Sequence, residues 1–305
     1  MTDVSLVGQQ LPSATPAPAG PPYFADGLWH GQVEIVENER MARDTFRVRF
    51  RCPEIARRIV PGQFLMLRVA GYNDPLLGRP FALYDTTQSS SGAADGLDVV
   101  YLIVGKLTSR LAECLPGEKL EVWGPLGNGF SPTPAEHLIM VAGGIGQTPF
   151  LAVAREALEL RRYGAPPRHR PRSQHVTLCY GARSKDLLAG VEDFQALGVD
   201  VRVSTDDGTS GHHGLVTDVL KSVLDQAKLS PTILCCGPEP MMAAVAKIAQ
   251  ERHVPCEISL ETPMACGVGI CFSCVAKVRQ EDGGWDYRRT CVEGPVFDGC
   301  AIDFD

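Results

Sequence analysis

Long apolar runs are missing from this chain of 305 residues. None reaches the ~18 residues that a membrane-spanning helix needs, so no membrane partner is expected. Blocks of Lys and Arg are missing as well. Twenty-nine basic side chains face 36 acidic ones, for a net charge of −7. That balance argues against a phosphate backbone as ligand, and no nucleic-acid partner is expected. The opening MTDVSLVGQQ has an acid where a secretory leader needs a basic region, and no apolar stretch follows. The eleven cysteines are odd in number and unevenly spread, unlike an extracellular disulfide framework. A reducing, cytoplasmic setting with some thiols reserved for a metal is the expectation.

What is present changes character along the chain. Residues 1–27 are rich in Pro, Ala and Gly without periodicity, and read as a disordered or loosely draped arm. From residue 28 come six short strands: HGQVEIVEN, DTFRVRFR, QFLMLRVA, RPFALYDT, LDVVYLIVG and KLEVWG. With turn-formers between them and one brief helix, SRLAECL, they predict an antiparallel barrel. From residue 137 the strands HLIMVAGG, HVTLCYGA, VDVRVST, TILCCG and CEISLE alternate with helical stretches. These are PFLAVAREALELRRYG, DLLAGVEDFQALG, VTDVLKSVLDQA and EPMMAAVAKIAQER. Such alternation predicts a parallel, doubly wound sheet. The basic, proline-rich PPRHRPRS at 166–173 reads as a solvated loop. The last 45 residues, 261–305, fit neither pattern.

That last segment holds MACGVGICFSC. Cys266, Cys271 and Cys274 are spaced C-x4-C-x2-C, and Cys291 follows after sixteen residues. This is the plant-type spacing of a [2Fe–2S] cluster. Gly267 and Gly269 let the loop wrap closely around the sulfurs. A zinc site pairs two short knuckles, and the second is missing here, because eight residues separate Cys291 from Cys300. Cys300 stays open as an alternative fourth ligand. Cys52, Cys114, Cys179, Cys235, Cys236 and Cys256 sit in apolar contexts and read as small core residues.

Two loops point to a nucleotide. VAGGIGQTPF joins a strand to a helix. Its Gly143, Gly144 and Gly146 allow a pyrophosphate to approach, with Thr148 following and Pro149 suited to the first helical turn. CCGPEPMM places Cys236, Gly237, Pro238 and Met241 after another strand of the same sheet, at its carboxyl edge. Between them, Asp206 and Asp207 favour NAD over NADP, because acids repel a 2′-phosphate. His212 and His213 in the same stretch read as solvent-exposed. On the barrel, Arg79 of RPFALYD would neutralise the diphosphate of a flavin lying between the two domains. GPLGNGF, with three glycines, suits a close approach to that cofactor or to a neighbouring domain.

The order RPFA, GPLGNGF, GGIGQTP, TDDGTSG, CGPEPMM, CGVGICFSC and CVEGPVF resembles the electron-transfer subunits of type B dihydroorotate dehydrogenase. These are ferredoxin-reductase-like flavoproteins, and the resemblance spans about residues 28–304. It implies a FAD barrel over 28–132, an NAD-binding α/β domain over 133–260 and a short [2Fe–2S] segment over 261–305. It implies FAD contacts at Arg79, Pro80, Phe81 and Ala82, at Val100, Tyr101 and Leu102, and at Leu107 and Thr108. It also implies an FMN-containing catalytic subunit as partner in a two-plus-two heterotetramer, with electrons passing FMN → [2Fe–2S] → FAD → NAD+. Two positions depart from the family: Ala82 stands where the RPxS/T pattern offers a hydroxyl near flavin N5, and Leu107 precedes Thr108 in place of the Gly of a GT pair. FMN in place of FAD is an alternative. So is a diaphorase module serving a hydrogenase, a ferredoxin:NAD(P) oxidoreductase or an oxygenase. The oxygenase form normally adds a full ferredoxin domain, which this tail is too short to form. From a different class, a zinc-stabilised scaffold without redox activity is the rival. No eight-stranded barrel is left over for dihydroorotate oxidation itself.

Overall fold

The computed structural model describes residues 27–280 and 282–304. The arm expected over 1–27 lies outside the described residues except for Gly27.

The first half forms seven strands rather than six: β1 Trp29–Ala42, β2 Thr45–Arg51, β3 Phe64–Val69, β4 Arg79–Ala82, β5 Asp85–Gln88, β6 Ala94–Leu102 and β7 Lys119–Leu126. They pair antiparallel throughout, in the order β4-β3-β7-β1-β2-β6-β5. The extra strand comes from RPFALYDT, which divides. Its first half pairs with β3 and its second with β6, while Leu83 N–H donates to Gln63 O and Tyr84 N–H to Asp98 O. One short stretch thereby links the two edges of the sheet and curls it into a barrel. Strand β7 shows the period-2 logic, with Leu120, Val122 and Leu126 buried and Lys119 and Glu121 turned outward. Two short helices accompany the strands, α1 Pro53–Ala56 and α2 Lys106–Glu113. The second contains SRLAE and starts earlier than expected.

The second half is a parallel sheet of β8 His137–Gly143, β9 His175–Ala182, β10 Asp200–Thr205, β11 His212–His213, β12 Pro231–Cys236 and β13 Cys256–Ser259. All seven residues of β8 are buried, as expected of a strand covered on both faces. Its helices are α3 Phe150–Ala157, α4 Val191–Gln195, α5 Val216–Gln226 and α6 Glu239–Glu251. Two of them are shorter than their sequence patterns. Helix α3 ends early because Glu159 takes a left-handed conformation (φ 56°) and Leu160 N–H returns to Arg155 O, which closes the helix end. DLLAGVEDFQALG is broken at Gly190 (φ 72°), so a short 3-10 turn, Lys185–Leu187, precedes the break and only the second half is α-helix.

The tail is not independent of this sheet. After the hairpin of β14 Val275–Arg279 and β15 Trp285–Arg289, strand β16 Val296–Asp298 pairs antiparallel with β13. The complete order is β11-β10-β9-β8-β12-β13-β16. No helix among the described residues is long and apolar enough to cross a membrane.

The halves are fastened together at Asp85. Its buried carboxylate meets Arg155 at 2.6 Å, Arg161 at 2.9 Å and the Tyr163 hydroxyl at 2.8 Å. Nearby, the Tyr84 hydroxyl donates to Asp193 at 2.6 Å. The loop 166–173 is anchored rather than solvated. Arg168 forms a two-pronged pair with buried Glu156 at 2.6 and 2.7 Å and reaches Phe130 O, and Arg170 and Ser173 are buried behind it.

Candidate functional site

A cavity of about 460 Å³ lies where barrel, parallel sheet and tail converge. All nine barrel residues expected at a flavin line it: Arg79, Pro80, Phe81 and Ala82 from β4, Val100, Tyr101 and Leu102 from β6, and Leu107 and Thr108 from α2. Arg79 is exposed at the mouth and leans on the carbonyls of Leu77 and Gly78. The Tyr101 hydroxyl donates to Asn38 Oδ1 at 3.0 Å, and burial raises its pKa. The Thr108 hydroxyl accepts from the N–H of Val104 and Gly105, so it caps the start of α2. Its side chain is occupied locally. Ala82 is half-buried in the cavity wall and has no polar atom to offer beyond its backbone.

The parallel sheet meets the cavity at its switch point. Strand β8 is flanked by β9 on one side and β12 on the other, so the loops after β8 and β12 stand side by side. Ile145, Thr148 and Cys236 from these loops line the cavity. The glycines divide their labour. A side chain at Gly143 would meet Met241 Sδ at 2.6 Å and Pro238 Cδ at 2.7 Å. One at Gly146 would collide with the carbonyl of Cys236 and come within 2.7 Å of Gly237 Cα. These two glycines let the expected nucleotide loops pack on each other. Gly144, in a left-handed conformation (φ 55°), faces open space. Pro149 directly precedes α3. Asp206 and Asp207 are exposed in the turn after β10. The Asp207 carboxylate accepts from the Thr209 hydroxyl at 2.6 Å and its N–H at 3.0 Å, which lowers its pKa. His212 and His213 are exposed, as expected.

The tail supplies the third wall. Leu260, Glu261, Thr262, Pro263 and Met264 line the cavity, immediately before the cysteine loop. No motif in the sequence marks this run. The available signal was its place just beyond β13, at the carboxyl edge of the parallel sheet, where ligands bind. Protein around the Glu261 carboxyl desolvates it and raises its pKa, although the residue as a whole stays exposed to solvent.

Behind that wall, Phe64, Met66, Leu126, Met264, Cys274 and Cys291 form one buried apolar cluster. The cysteine loop is pinned to the barrel: Trp123 Nε1 donates to Cys266 O at 3.0 Å, and Gly267 (φ 74°) sits where a side chain would strike Met66. Thr290 holds the other side, its N–H and hydroxyl both donating to Cys274 O at 2.8 and 3.0 Å. Cys266 and Cys274 are electrostatic neighbours of Cys291, and Cys271 is hydrogen-bonded toward Cys266. Ser273 pulls the exposed Cys271 thiol down to about 6, whereas burial and then Cys274 push Cys291 up to about 12. Cys300 is elsewhere. It is exposed beyond β16 beside Asp298 and near Cys256. Among the described residues no three His, Cys, Asp or Glu side chains gather as around a single metal ion. A [2Fe–2S] rhomb does not require that, because each iron takes two thiolates. Cys52, Cys114, Cys179, Cys235, Cys236 and Cys256 are all buried, as core residues should be.

GPLGNGF turns toward the tail. Gly127 sits where a side chain would meet Pro295 at 2.5 Å, and Asn128 Nδ2 donates to Val296 O at 2.8 Å while its Oδ1 accepts from Val296 N–H.

Family models match three stretches of the chain. The iron–sulfur cluster binding domain of dihydroorotate dehydrogenase B matches residues 261–303, an oxidoreductase NAD-binding domain matches 140–247, and an oxidoreductase FAD-binding domain matches 32–130. Among curated proteins, the electron transfer subunit of dihydroorotate dehydrogenase B (NAD(+)) from Desulforamulus reducens is 35% identical, over 84% of this chain and 92% of its own. The subunit of the same name from Caldanaerobacter subterraneus is 33% identical over 88% and 96%. Among solved structures, an NADH-dependent reduced ferredoxin–NADP oxidoreductase superposes with a TM-score of 0.73 at 27% identity, covering 94% of this chain and 92% of that one. Phthalate dioxygenase reductase, at 18% identity and TM-score 0.57, shares the fold.

Proposed function

Because this chain belongs to the family of electron-transfer subunits of dihydroorotate dehydrogenase B, we propose that its cavity holds FAD between a [2Fe–2S] cluster and the NAD site. It is an NAD-linked flavin and iron–sulfur oxidoreductase subunit that serves pyrimidine biosynthesis. The flavin, when bound, couples one-electron exchange with the cluster to hydride exchange with the nicotinamide. The proposed cluster ligands are Cys266, Cys271, Cys274 and Cys291. The nucleotide is assigned to the loops around Gly144 and Gly237, with Asp206 and Asp207 selecting NAD. The segments 28–132, 133–260 and 261–305 are the corresponding FAD, NAD and cluster units of the proposal. The partner is an FMN-containing catalytic subunit in a two-plus-two assembly, where dihydroorotate itself is oxidised.

One observation carries this reading. Phe64 and Met264 belong at once to the cavity wall and to the apolar cluster that contains Cys274 and Cys291. A flavin in the cavity and a metal cluster on those thiols would share a single layer of side chains. Arg79 and the backbone of β4 would hold the diphosphate. Ile145, Thr148 and Cys236 would bring a nicotinamide to the same space from the opposite side.

The test is the visible and electron paramagnetic resonance spectrum of the purified chain, followed by reconstitution with the catalytic subunit. Flavin and iron–sulfur bands, a reduced-cluster signal and dihydroorotate-dependent NADH formation are expected. A colourless zinc-containing chain would overturn the reading. The likeness to the ferredoxin–NADP oxidoreductase favours a second one, a ferredoxin-linked diaphorase module. Reduced ferredoxin driving NADH formation with no response to dihydroorotate would select it.

A further inference from the structure

We propose that the Glu261 carboxyl supplies and recovers the proton that the flavin needs at this site, an inference that rests on the redox reading above. The need follows from electron and atom balance. Electrons that arrive through an iron–sulfur cluster bring no hydrogen. Reduction of NAD+ removes a hydride, which is two electrons and one proton. Two electrons, one proton and NAD+ therefore give one NADH. The flavin nitrogen that passes the hydride on must collect a proton once per turnover from the protein or the water around it.

The cavity narrows the choice of donor. Its titratable and charged side chains are Arg79, Tyr101 and Lys106 on the barrel side, Cys236 at the end of β12, and Glu261 on the tail. Arginine and lysine cations are far weaker acids than a carboxyl group. The Tyr101 hydroxyl is buried and already donates to Asn38. Burial also holds the Cys236 thiol firmly protonated, and the nearby Glu261 charge reinforces this. Ala82 has no hydroxyl to relay anything. Glu261 is the one carboxyl in the lining, and it makes no hydrogen bond among the described residues. It lies near Cys236, where the carboxyl edge of the parallel sheet meets the barrel, so it stands where nicotinamide and flavin must come together. Its opening to solvent provides reloading from water. Desolvation raises its pKa, which keeps more of the acid form available as pH rises.

The reaction can be entered from two sides, and only one needs an external proton. Dithionite, a donor of electrons without hydrogen, and NADH, a donor of hydride, are mixed separately with the holo chain in a stopped-flow spectrometer. Flavin bleaching is followed against pH for the wild type, Glu261→Gln and Glu261→Asp. In the wild type the dithionite rate falls as pH rises through the carboxyl's pKa. In Glu261→Gln that rate drops about 10²-fold and loses this pH dependence, while the NADH rate drops by less than about threefold. Glu261→Asp recovers part of the dithionite rate and its pH limb. The absorption of bound oxidised flavin also shifts with pH as the carboxyl ionises, and Glu261→Gln abolishes that shift. Equal losses by both routes would mean a structural role, and no loss by either would mean a bystander. Both results overturn the inference while leaving the redox reading intact, because both variants would still show flavin and iron–sulfur bands. A wild-type chain lacking those bands overturns the reading and the inference together.

Discussion

Cys291 and Cys300 differ in what surrounds their sulfurs. Cys291 is buried with Cys274 and Met264, whereas Cys300 is exposed beyond β16, beside Asp298. Cys291→Ser is expected to lose or severely destabilise the cluster, and Cys300→Ser to keep it. Iron and acid-labile sulfide assays on both proteins check this, and iron lost only from Cys300→Ser would contradict it. Ala82 poses a second question at the same scale. A hydroxyl there could donate to or accept from the flavin nitrogen as its redox state changes. Alanine leaves that nitrogen to backbone, water or an acid across the cavity. Ala82→Ser adds one neutral hydrogen bond of ~0.5–1.5 kcal/mol. If the bond favours one redox state, the two-electron potential moves by up to roughly 30 mV. Flavin content should stay near stoichiometric, since Arg79 and the β4 backbone are untouched. Redox titration of the two proteins measures the shift, and an unchanged potential with unchanged reduction rate would place residue 82 away from the ring.

At the scale of elements, the two loops at the switch point act as one unit. Gly143 and Gly146 permit the contact between them, and Gly144 alone of the three faces open space. Gly146→Ala must push the β12 end away from the loop after β8. Overpacking of this kind costs about 1–3 kcal/mol. NADH binding should weaken, with iron content retained, because Cys274 and Cys291 belong to a separate buried cluster. Calorimetric titration with NADH and cofactor assays on the variant decide the point. The glycines were legible in the sequence as a nucleotide loop, and so were the strand periods and the four clustered cysteines, because each signal is local. The division of RPFALYDT into β4 and β5 was not, since it depends on β3 and β6 competing for the two ends of one strand. Strand β16 is not legible for a similar reason: three residues, Val296–Asp298, take their strand character from β13. The loop 166–173 carries the composition of a solvated segment, yet Arg168 finds buried Glu156 in α3. For Glu261 the sequence offers only its place at the end of a strand of the parallel sheet; that Cys236 and Ala82 line the same cavity emerges only on folding.

For the molecule as a whole, the shared wall ties the fates of two cofactors together. Met264 is 9% exposed, lines the flavin cavity and packs with Cys274 and Cys291 behind it. Its side chain would therefore bear on a flavin in that cavity from one face and on a cluster at those thiols from the other. Met264→Ala removes that packing, and a buried Met→Ala change costs about 2–5 kcal/mol. Part of the loss should appear in each cofactor: faster flavin release on warming and faster bleaching of iron–sulfur absorbance in air or with chelator. Ile270 provides the comparison. It lies in the same cysteine loop but is 78% exposed, so Ile270→Ala should change stability by no more than about 0.5 kcal/mol and leave both cofactors bound. The measurement is a thermal ramp on each protein, recording flavin fluorescence and iron–sulfur absorbance in the same cuvette. In Met264→Ala both transitions should move to lower temperature together. If the cluster alone were affected, Met264 would support the cysteine loop without forming the flavin wall. If the flavin alone were affected, the apolar layer would end before the thiols, and the short path between the two cofactors would have to run through other residues.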